Sequence, residues 1–143
     1  MRLLGIDPGG KHIGLAICDA NGIAARPLTT LQHVSHVADV ATLVATARAQ
    51  EAEGFVIGLA VYADGTLSPQ GRAAEKLAEA LRAASGLPVW LHDEWGSSRE
   101  AMAGMIQAGR RRQARRQEQH AAAAAAILQS YLDATPRETP PND

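Results

Sequence analysis

Aromatic side chains are scarce in this chain, at 3% of 143 residues, while 46% of the residues are hydrophobic. A core of any size must therefore be built from Ala, Val, Leu and Ile, and the length suits one domain. Cys18 is the only cysteine. That excludes an internal disulfide and a thiolate metal cluster, and its place in an apolar run reads as a buried, inert thiol. No apolar run approaches the ~20 residues of a membrane span. Between Arg2 and Asp7 only Leu3-Leu4-Gly5-Ile6 intervenes, too little for a secretory signal, so a cytoplasmic protein with no membrane partner is expected. Net charge is also lacking, at −1, and by itself it predicts no nucleic-acid partner. The distribution is less even. Five of the 14 Lys and Arg residues fall at Arg110, Arg111, Arg112, Arg115 and Arg116, with no acid among them.

The chain opens with two apolar runs separated by Asp7-Pro8-Gly9-Gly10. Pro followed by Gly favours a tight reversal, so strands over about Arg2–Asp7 and His12–Cys18 are expected. Asp19 to Gly22 is a further turn signal, and Ile23–Thr30 reads as a third strand, on an edge because of Pro27. Ser35 caps a helix with Val37, Val40, Ala41 and Val44 on one face. Phe55–Leu59 reads as a buried strand, and Asp64-Gly65-Thr66 as a loop. Ser68-Pro69 starts a helix with Ala73, Leu77, Leu81 and Ala84 on one face, ended by Gly86. Leu87–His92 is a short strand. Ser97 and Glu100 form a capping-box pattern before Met102, Met105 and Ile106.

The basic stretch Arg110–Arg116 has no apolar period and reads as a loop or a solvated helix extension. A last helix from about Glu118 to Asp133 carries Ala121, Ala124, Leu128 and Tyr131 on one face, and its six-alanine run suits close packing on a sheet. Residues 135–143 hold three prolines and no core former, which predicts a disordered tail after a single domain over 1–134. The order β-β-β-α-β-α-β-α-α gives an α/β fold. It is a mixed five-stranded sheet, a three-strand antiparallel meander plus parallel strands, with helices on both faces. That is the element order of the ribonuclease-H-like fold.

Two acidic positions carry the chemistry. Asp7 ends the first strand, and Glu94 follows the strand Leu87–His92. Ligands of open α/β sheets collect outside the carboxyl ends of strands. If these two strands are parallel neighbours, the carboxylates converge and repel unless a cation lies between them. Oxygen donors select Mg2+ or Mn2+. Taken singly, Asp7 also reads as a polar strand end capping a turn, and Glu94 as a solvated loop acid.

At this point the chain resembles the YqgF/RuvX family, ribonuclease-H-like nucleases described as Holliday-junction-resolvase-like or as pre-16S rRNA nucleases. The resemblance rests on GIDPGGKHIGLAICD at Gly5, ARPLTTL at Ala25, VIGLAVYADGTLSPQ at Val56, GLPVWLHDEW at Gly86 and AAAAAAILQSYLD at Ala121. It implies Asp7 and Glu94 as catalytic acids and metal ligands. The family's third acid, eight residues before the Leu of its Ile-Leu-x-Ser-Tyr motif, falls on His120 here. Other departures are Leu-Ala-Val-Tyr after Gly58, where the family has Leu-Pro, and Asp93-Glu94-Trp95-Gly96, where an Arg is lost.

The implied function is a divalent-metal-dependent nuclease acting on structured nucleic acid. It would process the pre-16S rRNA 5′ end or cleave branched DNA such as Holliday junctions. Asp7, Glu94 and His120 would form the catalytic metal site. Mn2+ would be favoured over Mg2+ if the His120 imidazole is a ligand. The Arg110–Arg116 cluster and Lys11 would contact phosphates, and Trp95 is a candidate for base stacking. Symmetric junction cleavage needs two sites and hence a homodimer; a monomer or a homodimer is expected. The competing expectation is a nucleic-acid-binding protein on the same fold whose catalysis is impaired through His120.

Overall fold

The computed structural model describes residues 1–59, 66, 68–93 and 116–134. Among them run strands β1 (Leu3–Pro8), β2 (His12–Cys18), β3 (Ala25–Gln32), β4 (Gly54–Leu59) and β5 (Val89–Asp93). The helices are α1 (His36–Ala49), α2 (Pro69–Ser85) and α3 (Arg116–Ala134). The strands form one sheet in the order β3-β2-β1-β4-β5. The β1-β2 and β2-β3 pairs are antiparallel, and β4 and β5 add parallel to β1. This is the mixed sheet that the element order predicts.

Alternation along each strand divides the sheet into two unlike faces. Leu4, Ile6, Leu15, Ile17, Phe55 and Ile57 point to one face and are fully buried against α1 and α2, chiefly Leu43, Leu77 and Leu81. Each such side chain contributes roughly 1.5–3 kcal/mol of burial. The other face carries Leu3, Ala16, Cys18 and Val56, covered by Ala124, Ile127, Leu128 and Leu132 of α3. It is paved with small residues so that the alanine-rich helix can lie close. A Cβ on Gly5 would sit 2.8 Å from Leu128 Cβ and 3.2 Å from the Ala124 carbonyl oxygen. Cys18 is buried there, accepts the Leu3 N–H at 3.1 Å, and has its pKa raised by that burial.

The caps stand where the sequence places them. Ser35 accepts the Ala38 N–H at 3.1 Å, and Ser68 accepts the Gly71 N–H at 3.0 Å with Pro69 opening α2. Gly86 ends α2 in the left-handed region, at φ 72°. Pro27 does lie on an edge strand, beside a bulge: Leu15 pairs with Thr29 and Ala16 with Pro27, leaving Leu28 as the extra residue.

Several boundaries and faces differ from the expectation. Strand β3 starts at Ala25 rather than Ile23, because Asp19 Oδ1 accepts the Ile23 N–H at 2.7 Å and holds the preceding turn closed. Strand β5 starts at Val89 rather than Leu87, since the Leu87 N–H donates to Ser85 Oγ at 3.0 Å. In α1, Val37 is 79% exposed, and the buried stripe is Asp39, Leu43, Val44 and Ala47. In α2, Ala74 and Ala78 are buried where Ala73 and Ala84 were expected. Helix α3 begins at Arg116, so the last arginine of the basic run is already helical. The expected loop at Asp64-Gly65, the helix carrying Met102, Met105 and Ile106, and the tail 135–143 lie outside the described residues. Among the described residues, no helix is long and apolar enough to cross a membrane.

Candidate functional site

Asp7 is the penultimate residue of β1, on the rim where β1, β4 and β5 all end. Leu3 and Gly5 face α3, and the same alternation turns Asp7 toward that face. Its cross-strand partner is Gly14 on β2. A Cβ on Gly14 would lie 1.9 Å from the carbonyl oxygen of His120, so α3 crosses the β1-β2 pair directly at the level of Asp7. The absence of a side chain at Gly14 thus allows the strand-end acid and the helix histidine to occupy one corner of the molecule.

The Asp7 carboxyl is half-buried, and burial raises its pKa from 3.8 to about 6. No charge or hydrogen bond among the described residues offsets that desolvation. A buried acceptor without a donor is costly to keep ionised, and a bound cation would remove the cost. His120 is also half-buried, and its pKa is lowered by desolvation first and by the neighbouring His12 second. Both shifts favour the neutral form, as expected of a corner poor in water. Neutral imidazole keeps a lone pair free for a metal.

His12 is the residue that sequence reasoning missed. Its ring stacks on His120 with centroids 5.1 Å apart and planes 23° apart. A single His at a strand start matches no motif. The available signal was alternation, which sets His12 on the face shared by Gly14, Ala16 and Cys18, the one that the alanine-rich helix covers.

Strand β5 is not the direct neighbour of β1 on which the convergence of Asp7 and Glu94 was expected to depend, because β4 lies between them. It still runs parallel and brings its carboxyl end to the same rim, with Gly58 paired to His92 and Leu59 to Asp93. His92 shares a hydrogen bond with Ser130 Oγ at 2.9 Å and meets the edge of Tyr131 with ring centroids 5.8 Å apart. These contacts fasten the end of β5 to α3 just before Glu94. Glu94 itself, Trp95, and Arg110, Arg111, Arg112 and Arg115 lie outside the described residues, as does the side chain of Arg116. Lys11 is exposed in the connection between β1 and β2, next to Gly10, where an added Cβ would meet nothing within 4 Å. The described structure therefore brings Asp7 and His120 to one corner with Lys11 on its margin. Among the described residues, no group of three or more His, Cys, Asp or Glu side chains is placed to hold a metal.

The family model RuvX, described as Holliday junction resolvase, matches residues 1–134. A protein of Syntrophus aciditrophicus named "Putative pre-16S rRNA nuclease" is 39% identical over 100% of this chain and 95% of its own length. One of the same name from Anaeromyxobacter sp. (strain Fw109-5) is 41% identical over 93% of this chain and 97% of its own length. Among solved structures, Thermus thermophilus RuvC in complex with a Holliday junction superposes with a TM-score of 0.58 at 19% identity, covering 94% of each chain. The fowlpox virus Holliday junction resolvase gives 0.55 at 13% identity, covering 94% of this chain and 100% of its own. At such identities the structural likeness shows the fold, which is ribonuclease-H-like.

Proposed function

This chain belongs to the RuvX family, a family of nucleases, and from that membership we propose a divalent-metal-dependent hydrolysis of phosphodiester bonds centred on Asp7. The observation that carries the proposal is the half-buried Asp7 carboxyl, desolvated and without a counter-charge among the described residues. Asp7, Glu94 and His120 would hold Mg2+ or Mn2+. The donor set fits: two carboxylates match either ion, and a nitrogen donor leans toward Mn2+. The bound ion would activate water and stabilise the departing oxygen.

The chain's own residues supply the rest. Asp7 gives a fixed oxygen donor on a strand end, which is more rigid than a loop. His120 presents a neutral imidazole. Lys11, exposed beside Gly10, would contact a phosphate, and the arginines Arg110, Arg111, Arg112, Arg115 and Arg116 would add the positive charge that nucleic acid requires. Relatives matched along nearly their whole length bear the name of a pre-16S rRNA nuclease, which supports the 5′ end of that precursor as first substrate and branched DNA as second. The working unit would be residues 1–134, with 135–143 as a tail, acting in the cytoplasm as a monomer or, for symmetric cleavage of a junction, as a homodimer.

The test uses purified protein with a labelled precursor RNA and a labelled four-way junction. Cleavage is expected with Mn2+ or Mg2+, to cease with chelator, and to fall to background in Asp7→Asn. Cleavage that is indifferent to chelator, or undiminished in Asp7→Asn, would reject the site.

A further inference from the structure

The backbone of His12 is fixed at the start of β2. It pairs with Gln32 on β3, and Gly9 approaches so closely that a Cβ there would lie 2.2 Å from the His12 carbonyl oxygen. Two residues along β2, Gly14 lets the His120 backbone down onto the sheet. The two rings meet because both backbones are fixed, one by the sheet and one by the seat of α3. We propose that His12 is a positioning residue: its ring, stacked on His120, fixes the orientation of that imidazole for metal binding beside Asp7.

The two rings stack with centroids 5.1 Å apart and planes 23° apart. No third His, Cys, Asp or Glu among the described residues completes a metal group with the pair. The contact instead limits the two torsions of His120. A helix-borne imidazole without a partner samples several rotamers, and only some aim a nitrogen at the rim. A ring against its face removes much of that freedom before a metal arrives. The predicted requirement at position 12 is a flat ring and not a particular nitrogen.

The inference rests on the reading of His120 as a ligand, and the experiment separates the two. The quantity read is the Mn2+ concentration giving half-maximal cleavage, measured in wild type, His12→Phe, His12→Gln, His120→Ala and the double variant His12→Gln/His120→Ala. Phe keeps the ring, whereas Gln keeps a polar end and loses it. His12→Gln is expected to raise the Mn2+ requirement roughly two- to tenfold, the range that an aromatic pair commands. His12→Phe should stay near wild type, and His12→Gln should add nothing further in the His120→Ala background.

A merely structural role for His12 would lower the unfolding temperature and leave the Mn2+ requirement unchanged, and that result overturns the proposal. Equal losses in the Phe and Gln variants overturn it too, because the nitrogens of His12 would then be what matters. Should the Gln variant fail to fold, His12→Leu takes its place: a raised Mn2+ requirement in Leu beside a wild-type one in Phe supports the ring, and equal requirements in Leu and Phe reject it. If His120→Ala responds to Mn2+ as wild type does, the ligand reading itself fails and takes this inference with it. If His120→Ala is impaired and folded His12→Gln is not, only the positioning role falls.

Discussion

Replacing Asp7 by Asn in metal-free protein isolates the cost of burying that carboxylate. Desolvation raises the folded-state pKa to about 6 from 3.8. At neutral pH the group is ionised in both folded and unfolded chains, and only the folded chain bears the penalty. Between the two values the folded state holds the extra proton. The stability linked to it is fully present below 3.8 and is lost as pH rises through about 6. At about 1.4 kcal/mol per pH unit of displacement, the loss is about 3 kcal/mol once both states are ionised. Asn has nearly the same shape and no charge at any pH. Asp7→Asn should therefore be more stable than wild type by up to about 3 kcal/mol near pH 7.5, by about 1 kcal/mol near pH 4.5, and by nothing below the unfolded value. Urea unfolding followed by circular dichroism in chelator, repeated across that range, reads the difference directly. Adding Mn2+ should raise the wild-type midpoint and leave the variant unmoved. A carboxylate already satisfied by a donor or cation would give the opposite sign. An Asn variant less stable at pH 7.5, or a difference that ignores pH, would refute the reasoning.

Two further expectations concern the seat of α3. Gly14→Ala places a Cβ 1.9 Å from the His120 carbonyl oxygen, a backbone atom that moves only if the helix lifts. It should cost about 1–3 kcal/mol or more and lower the calorimetric unfolding temperature by several degrees, and an unchanged temperature would deny the close contact. His120→Asp restores an all-oxygen donor set and should shift cleavage toward Mg2+. The ratio of rates in Mn2+ and Mg2+ tests this, and an identical ratio in wild type and variant would place His120 outside the site.

What could be read in the sequence were features with one local solution. Asp7 before Pro8-Gly9, the caps Ser35, Ser68 and Gly86, and the edge position of Pro27 each follow from backbone chemistry within a few residues. Helix faces were less legible, because α1 carries apolar residues around most of its circumference. Val37 and Leu43 fit different stripes, and contact with the sheet selects the one holding Leu43. Asp39 shows the same limit. It is 8% exposed yet satisfied, accepting the Val34 N–H at 3.1 Å and facing His33 Nδ1, partners that only the folded loop supplies. Asp7 was legible as a candidate because its motif is contiguous. The contact of His12 with His120 joins opposite ends of the chain, so no window of sequence contains it. The fold was therefore anticipated from local patterns and family resemblance, while the packing of His12 on His120 exists only in the folded chain.

The seat of α3 also sets the order of events during synthesis. The strands β1, β2 and β3 form an antiparallel meander of near neighbours, which can pair early. The helix that covers their small-residue face comes last among the described elements. Until it leaves the ribosome, Gly5, Gly14 and Ala16 stay uncovered. A nascent or truncated chain would thus carry the strand-end acid without the helix that crosses beside it. Such a chain has an open apolar face that chaperones and proteases can recognise. The close-packed helix acts as a completion check: the corner that holds Asp7 and His120 exists only in a chain translated through α3.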